Sequence, residues 1–315
     1  MPLDPQVEAL LQPAPEGFEM TSLPVDVLRK YVRESSMAYP KLAVPLASVA
    51  DRTIAGPGGE LPIRVYTPEG GGPFPLVVYF HGGGWVVGDL DTQDMICRAL
   101  CHGAASVVVS VDYRLAPEHR FPAAVDDAWA ATLWAAKNAP ALRGDATRLA
   151  VAGDSAGANL AAAVALRTRD EGGPRLRAQL LIYGSCNYPS TRTPSTEQFK
   201  SGPIITEAAI DYFWKQFLAD PAVDQDHPWA SPARAKSHRD LAPAFVATAE
   251  MDPSRDDGER YGEILARAGV ATESRRYAGM LHGFVSWVGL VDQAQRCIDH
   301  ACAFLARHTD RAGED

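Results

Sequence analysis

The sequence predicts an α/β protein with a mostly parallel central sheet flanked by helices. Short apolar runs alternate with longer Ala-rich segments whose apolar residues recur at helical spacing, which is typical of repeated strand-helix-strand units. The runs PLVVYF at 75–80 and SVVVSVDY at 106–113 are almost continuously apolar, as strands buried on both faces must be. The chain has 315 residues, 46% of them hydrophobic and 22% charged, and is long enough to bury a large core.

The predicted elements follow in chain order. Asp4 and Pro5 are typical of the N-cap and first position of a helix, and residues 1–45 are predicted to form helices joined by proline-rich turns. After the two strands above, the predicted strands are RLAVAG at 148–153, AQLLIY at 178–183, PAFVATAE at 243–250 and ATESRRY at 271–277. The predicted helices between strands are 121–139 and 156–173, the second of which ends at Gly172, Gly173 and Pro174.

Two regions interrupt the alternation of strands and helices. They are residues 1–45 and residues 187–240, and the second carries the helical pattern TEAAIDYFWKQFLAD inside loops rich in Pro, Ser and His. Because an insertion between two sheet strands commonly lies above the strand ends, we expect both regions to form one helical cap. The predicted organisation is 1–45 as the N-terminal part of the cap, 46–186 as the first part of the body, 187–240 as the cap insertion and 241–315 as the second part of the body.

Charge and hydropathy exclude several classes of partner. The formal net charge is -9 and the sequence pI is about 5.4, so nucleic acid and anionic membrane surfaces would be repelled. No segment approaches the roughly 20 apolar residues that a membrane span needs, and the N-terminus lacks the basic region of a signal peptide. We therefore expect a cytoplasmic protein with no membrane anchor and no nucleic-acid partner.

The five cysteines are expected to be reduced and packed in the core. The pairs Cys97/Cys101 and Cys297/Cys302 lack the nearby second pair or the histidine partners of zinc sites. No metal is therefore expected.

The pentapeptide GDSAG at 153–157 closes an apolar strand and opens a helix. In this setting a strained turn lifts the serine hydroxyl clear of the sheet, which makes Ser155 a candidate nucleophile. Gly153 and Gly157 fit because the strand and helix backbones crowd the turn. The alternative is an ordinary helix N-terminus at which Asp154 or Ser155 serves only as the N-cap.

Three consecutive glycines, Gly82 to Gly84, directly follow the strand at 75–80. Consecutive glycines let successive N–H groups point to one spot, where they bind a negatively charged oxygen. A serine that attacks a carbonyl creates such an oxygen. The alternative is a flexible turn, but a turn seldom needs three glycines followed at once by a tryptophan, Trp85.

A serine nucleophile needs a base and a group that orients the base. Among the eight histidines, His282 lies in YAGMLHGF after the last predicted strand, on a loop at the carboxyl edge of the sheet. Asp252 is the first acid beyond the strand PAFVATAE that a following proline holds in a turn. Asp256 and Asp257 are its competitors, with helix capping as their alternative role. The chain order serine, aspartate, histidine is that of α/β-hydrolase triads.

The motifs together resemble the hormone-sensitive lipase-like esterases, which are bacterial family IV carboxylesterases of the α/β-hydrolase fold. They cover roughly residues 61–290 in family order. The matching stretches are HGGGWVVGDLDT, VDYRLAPEHRFPAAVDDA, GDSAGANLAA, DPSRDDGERYGEIL and YAGMLHGF.

The resemblance implies a fold, an activity and a site. It implies an eight-stranded sheet under a helical cap and hydrolysis of short- to medium-chain esters without metal or cofactor. The residues it implies are Ser155 as nucleophile, Asp252 and His282 as its partners, and the N–H groups of Gly83, Gly84 and Ala156 as the oxyanion hole. The expected partner is a small-molecule ester substrate, and a homodimer is left open.

The chain departs from the family at three positions. The family usually has glycine where Ala158 stands, leucine where Ser254 stands and often proline where Gly184 stands. No departure removes a catalytic group, so they bear on the shape of the pocket.

Two aromatic residues are candidates for substrate contact. Trp85 is expected to line the pocket, and Tyr183 is a second candidate whose alternative is core packing. The aromatic run YFWKQF at 212–217 closes the cap over the substrate or simply packs in the core.

Two other functions remain open at this stage. One is a non-catalytic binding protein on the same scaffold, like the plant gibberellin receptors, which resemble this family but have lost the histidine. The other is hydrolysis of amides or lactones with the same residues.

Overall fold

The computed structural model describes residues 2–11 and 19–310. Residues 1 and 12–18 of the predicted region 1–45, and residues 311–315 of the predicted region 241–315, therefore lie outside the described residues. Eight strands form one sheet in the order β1-β2-β4-β3-β5-β6-β7-β8. The strands are β1 Ser48–Gly56, β2 Gly59–Thr67, β3 Phe74–Phe80, β4 Val107–Val111, β5 Gly144–Asp154, β6 Leu176–Ile182, β7 Ala244–Met251 and β8 Thr272–Leu281. β2 is antiparallel to both of its neighbours, and β4, β3 and β5 to β8 run parallel. The predicted eight-stranded, mostly parallel sheet is confirmed.

The first two strands have no counterpart among the strands read from the sequence pattern. β1 and β2 form a hairpin in which Gly56 pairs with Gly59. β1 is an edge strand, and Ile54 is its one buried residue. An edge strand with both faces largely in water needs no apolar run, so the pattern that marks β3 and β4 is missing there.

Ten α-helices complete the described chain. They are α1 Pro5–Leu10, α2 Val25–Met37, α3 Asp94–Gly103, α4 Ala123–Lys137, α5 Ala156–Asp170, α6 Pro194–Phe199, α7 Glu207–Phe217, α8 Pro221–Asp224, α9 Arg255–Arg267 and α10 Asp292–Thr309. α4, α5 and α9 contribute to the core on one face of the sheet, and α3 and α10 contribute to the core on the other. The five cysteines are free and buried, and four of them belong to α3 and α10.

The N-terminal region packs in two places. Leu28 of α2 belongs to a small apolar cluster with Val86, Val87 and Phe213, so α2 packs with α7 and the loop that follows β3. α1 lies elsewhere: its Val7 packs into the core of the α10 face, and Asp4 is its N-cap, accepting from the Gln6 N–H at 2.8 Å. The division into cap and body stays a prediction.

Candidate active site

The turn between β5 and α5 holds Ser155 in a backbone conformation that few residues adopt. Its φ is 53° and its ψ is -119°, a strain that persists only where the surroundings fix it. A Cβ on Gly157 would lie 1.9 Å from the Phe80 carbonyl oxygen, and one on Gly153 would lie 2.3 Å from the Gly157 carbonyl. Both glycines therefore permit the close approach of strand and helix. The Ser155 side chain makes no N-cap hydrogen bond to α5, contrary to the helix-capping alternative.

Ser155, His282 and Asp252 come together in one hydrogen-bonded chain. His282 follows the end of β8, and its Nε2 lies 2.8 Å from Ser155 Oγ. Its Nδ1 lies 2.7 Å from Oδ2 of Asp252, which is fully buried. A carboxylate can only accept, so Nδ1 carries the proton and the neutral ring accepts the Ser155 hydroxyl at Nε2. Oδ1 of Asp252 accepts the Ser254 N–H at 2.8 Å, which fixes the carboxylate.

The competing acids after β7 have other partners. Oδ2 of Asp256 accepts the Ser195 N–H at 2.7 Å, and Oδ2 of Asp257 accepts the N–H groups of Cys186 and Asn187 at 2.8 and 3.2 Å. Asp256 therefore links α6 to the start of α9, and Asp257 links the segment after β6 to it, whereas neither carboxylate is hydrogen-bonded to His282.

The environment favours a charged His282. Burial lowers the pKa of its imidazole, but the charge and hydrogen bond of Asp252 and the charge of Asp154 outweigh this and leave the pKa above its usual 6.5. His81 differs: its ring is fully buried against Tyr113, and burial lowers its pKa to about 4. His81 therefore stays neutral at physiological pH, with Nδ1 donating to the Gly82 carbonyl at 2.8 Å.

The glycine loop after β3 curls beside Ser155. Gly83 and Gly84 have φ values of 123° and 59°, which glycine adopts without steric cost. A Cβ on Gly83 would lie 2.1 Å from the Val87 carbonyl oxygen, and one on Gly84 would lie 2.3 Å from the Phe213 ring. Gly83, Gly84 and Ala156 all line the cavity that holds Ser155.

Asp154 anchors this loop, a role that the sequence analysis did not predict. Its buried carboxylate accepts the Gly82 N–H at 2.9 Å and the Tyr79 hydroxyl at 2.6 Å. The available signal was a lone charged residue inside a pentapeptide of otherwise small residues, next to the candidate nucleophile.

A largely apolar cavity of about 220 Å³ opens at Ser155. Trp85 lines it and is itself stacked on Phe217, with ring centroids 4.1 Å apart and planes 9° apart. Tyr183 also lines it, with its ring 4.9 Å from His282. Of the predicted aromatic run, Phe213 and Trp214 face the cavity.

Metal ligands are not clustered in the described structure. Across residues 2–11 and 19–310, no three His, Cys, Asp or Glu side chains are grouped so that they could hold an ion. In the same ranges, no helix has the combination of length and apolarity that crossing a bilayer requires.

The chain is similar to known hydrolases. A family model for the alpha/beta hydrolase fold matches residues 77–286. The carboxylic ester hydrolase LipN of Mycobacterium tuberculosis is 43% identical, and the match covers 98% of this chain and 84% of that protein. The ethyl acetate hydrolase of Pseudomonas putida is 35% identical, over 98% of this chain and 100% of that protein.

A solved structure extends the likeness to the whole fold. The Pyrobaculum calidifontis esterase superposes with a TM-score of 0.90 at 40% identity, covering 97% of this chain and 99% of that chain. The family model matches most of the chain, and relatives and a solved structure are about 40% identical to it over nearly its full length. The chain belongs to the α/β-hydrolase family, within the hormone-sensitive lipase-like, bacterial family IV carboxylesterases.

Proposed function

We propose that this carboxylic ester hydrolase works as a serine esterase through an acyl-enzyme on Ser155. One observation carries the proposal: the unbroken chain from Ser155 Oγ through His282 to Asp252, with distances of 2.8 and 2.7 Å. Both distances lie in the range in which a proton passes between heavy atoms. Because His282 Nε2 already accepts a hydrogen bond from the Ser155 hydroxyl, the base needs no rearrangement before the serine attacks.

The reaction has two halves. In the first, Ser155 Oγ forms a bond to the ester carbonyl carbon while His282 Nε2 takes the hydroxyl proton. The tetrahedral intermediate collapses, the C–O bond to the alcohol breaks, and His282 gives its proton to the departing alkoxide. In the second half, His282 takes a proton from water as the water attacks the acyl carbon. The bond between that carbon and Ser155 Oγ then breaks, His282 returns the proton to Oγ, and the carboxylic acid is released. Asp252 holds the ring and stabilises its cationic form.

The oxyanion of both intermediates is assigned to the N–H groups of Gly83, Gly84 and Ala156. Ala156 is the first residue of α5, so its N–H has no acceptor within the helix and lies at the positive end of the helix dipole. The left-handed backbone of Gly83 and Gly84 supports the other two donors. Each donor of this kind contributes on the order of 10² to 10³ in rate.

The cavity supports short to medium acyl chains. A volume of about 220 Å³ lined mainly by apolar side chains accommodates a small ester and selects against long ones. A relative that is named ethyl acetate hydrolase supports the same size range. Trp85 and Tyr183 are the proposed substrate contacts, since both line this cavity and Tyr183 also packs against His282.

The direct test is Ser155→Ala assayed on p-nitrophenyl esters from acetate to palmitate. The wild type is expected to turn over the short esters, with a steep fall beyond octanoate. Ser155→Ala should lose about 10⁶ in kcat, the cost of removing the serine of a triad, while its circular dichroism and unfolding midpoint stay those of a folded protein. A variant that keeps a tenth of the activity contradicts the role of Ser155.

Covalent labelling separates the esterase from a binding protein on the same scaffold. A fluorophosphonate should label the wild type stoichiometrically at Ser155, because an activated hydroxyl attacks phosphorus as it attacks carbon. A binding protein without an activated serine would stay unlabelled. The chain retains His282 at hydrogen-bond distance from Ser155, which favours the enzyme.

A further inference from the structure

The beginnings of α6 and α9 meet next to Asp252. α6 begins at Pro194 in the region predicted as the cap insertion, and α9 begins at Arg255, three residues after Asp252. The first N–H groups of any helix lack acceptors within it and need them from elsewhere. Ser254, the N-cap residue of α9, makes no side-chain hydrogen bond to that helix.

Ser195 supplies the side-chain acceptor that the N-terminus of α9 lacks. Its Oγ accepts the Asp256 N–H at 3.1 Å and donates to the Pro253 carbonyl at 2.9 Å. Thr196 Oγ1 is a second donor to the same carbonyl, at 3.2 Å. In return, Asp256 Oδ2 accepts the Ser195 N–H at 2.7 Å. Each helix therefore provides an N-terminal acceptor for the other, and Ser195 is fully buried where they meet.

These bonds act on the segment that carries the acid of the triad. Pro253 directly follows Asp252, and the Asp252 carboxylate is held from its own segment by the Ser254 N–H. A shift of residues 253–256 therefore moves the Asp252 oxygens relative to the His282 ring. A distance of 2.7 Å between Asp252 and His282 leaves little tolerance, since hydrogen bonds weaken steeply once they lengthen or bend.

We propose that Ser195 is a positioning residue that fixes the Asp252 segment from the N-terminus of α6. The inference rests on the proposed function, because it assigns Asp252 the role of orienting His282. Ser195 touches no reacting atom, and it acts through residues 253–256. The contact also makes the alignment of the triad depend on where α6 sits.

The consequence is measurable in the pH profile as well as in the rate. The groups that face His282 are Asp252 after β7, Asp154 at the end of β5, Ser155 and Tyr183. Asp252 acts on the imidazole through both charge and a hydrogen bond that raise its pKa. Loosening Asp252 weakens these two effects, so that burial, which lowers the pKa of His282, is opposed mainly by the charge of Asp154.

The experiment is Ser195→Ala, with kcat and KM for a p-nitrophenyl butyrate followed from pH 5 to pH 9. The expected result is a fall of about tenfold in kcat at the plateau, a small part of the 10⁴ that removing a triad aspartate's function costs. KM should stay within about twofold, and the acid limb should move to lower pH by about half a unit. Thr196→Val removes only the weaker donor and should give a smaller shift in the same direction.

Ser231→Ala is the matched control. Ser231 is also fully buried and lies in the predicted insertion 187–240. Its Oγ accepts the Tyr188 N–H at 3.0 Å instead of bonding to residues 253–256. It should lower the unfolding midpoint like Ser195→Ala while leaving the acid limb where the wild type has it. If Ser195→Ala and Ser231→Ala give the same pH profile, or if Ser195→Ala keeps its kcat, the positioning role is refuted.

Ser155→Ala measured in the same assay separates the two proposals. If that variant loses turnover but the pH profile of Ser195→Ala is that of the wild type, only the inference about Ser195 fails. If Ser155→Ala retains turnover, the proposed function itself fails. If Ser195→Ala does not fold, Thr196→Val is the test, because Thr196 is half-exposed and its substitution disturbs the core less. A Thr196→Val variant with the pH profile and the kcat of the wild type would then overturn the positioning role.

Discussion

Two departures from the family pattern, Ala158 and Gly184, form a contacting pair. A Cβ placed on Gly184 would lie 2.8 Å from the Cβ of Ala158, a separation that real Cβ atoms essentially never show. Gly184 does not have a positive φ, so contact with Ala158, and not backbone strain, opposes a side chain there. We therefore expect that the methyl group of Ala158 requires a glycine at 184.

The prediction is that Gly184→Ala and Ala158→Gly compensate each other. Gly184→Ala alone should lower the free energy of unfolding by about 1 to 3 kcal/mol, the usual cost of forcing a methyl group into a packed core. Ala158→Gly alone should cost about 1 kcal/mol from helix propensity, with a further loss from the buried methyl. The double variant should be about 1 to 2 kcal/mol more stable than the sum of the two single changes.

Urea unfolding of the wild type, the two single variants and the double variant, followed by fluorescence, measures the interaction energy between positions 158 and 184. The slope of the free energy against urea should stay constant, so that the midpoints report stability. Gly71→Ala is the control, because a Cβ at Gly71 would meet nothing within 4 Å and Gly71 has no positive φ. Additive effects of the two substitutions, within about 0.5 kcal/mol, would refute the reasoning.

Two further predictions concern the site. Because Asp252 holds the pKa of His282 above 6.5 and the base must be neutral to accept a proton, kcat/KM should rise with pH and reach half its plateau above pH 6.5. A profile with its optimum near pH 5 would contradict a histidine base. Asp154→Ala leaves the buried Gly82 N–H without its acceptor, which should cost about 1 to 3 kcal/mol of stability. It should also lower kcat on a short ester tenfold to a hundredfold through the displaced glycine loop, and an unchanged kcat would show that the loop holds its shape without Asp154.

The sequence predicted the buried part of the fold and missed its exposed edge. β3 to β7 carry apolar runs because helices cover both faces of the sheet there. The three helical patterns, two of them Ala-rich and one aromatic, fall on α4, α5 and α7. β1 has no such run because most of its residues face water. The cytoplasmic location, the homodimer and the absence of nucleic-acid partners stay predictions.

The site was predictable where local sequence constrains it. Ser155 lies between two glycines at a strand-to-helix turn, and Asp252 and His282 each follow the end of a strand, so the topology brings all three to one edge of the sheet. Ser195 and the Ala158 and Gly184 pair had no such signal. Their roles arise from contacts across 61 and 26 positions of the chain, and no periodicity marks which residues meet over such separations.

The two buried carboxylates near His282, those of Asp154 and Asp252, have different roles because their hydrogen-bond partners differ. Asp154 accepts from the Gly82 N–H and the Tyr79 hydroxyl, and burial raises the pKa of its carboxyl despite these bonds. Both of these bonds go to Oδ1 of Asp154, whereas Oδ2 lies 3.5 Å from the Tyr183 hydroxyl. Asp154 acts on His282 through its charge. Asp252 instead uses one oxygen for its own Ser254 N–H and keeps the other for His282 Nδ1. The imidazole is therefore oriented from one side only, which leaves Nε2 free to serve Ser155.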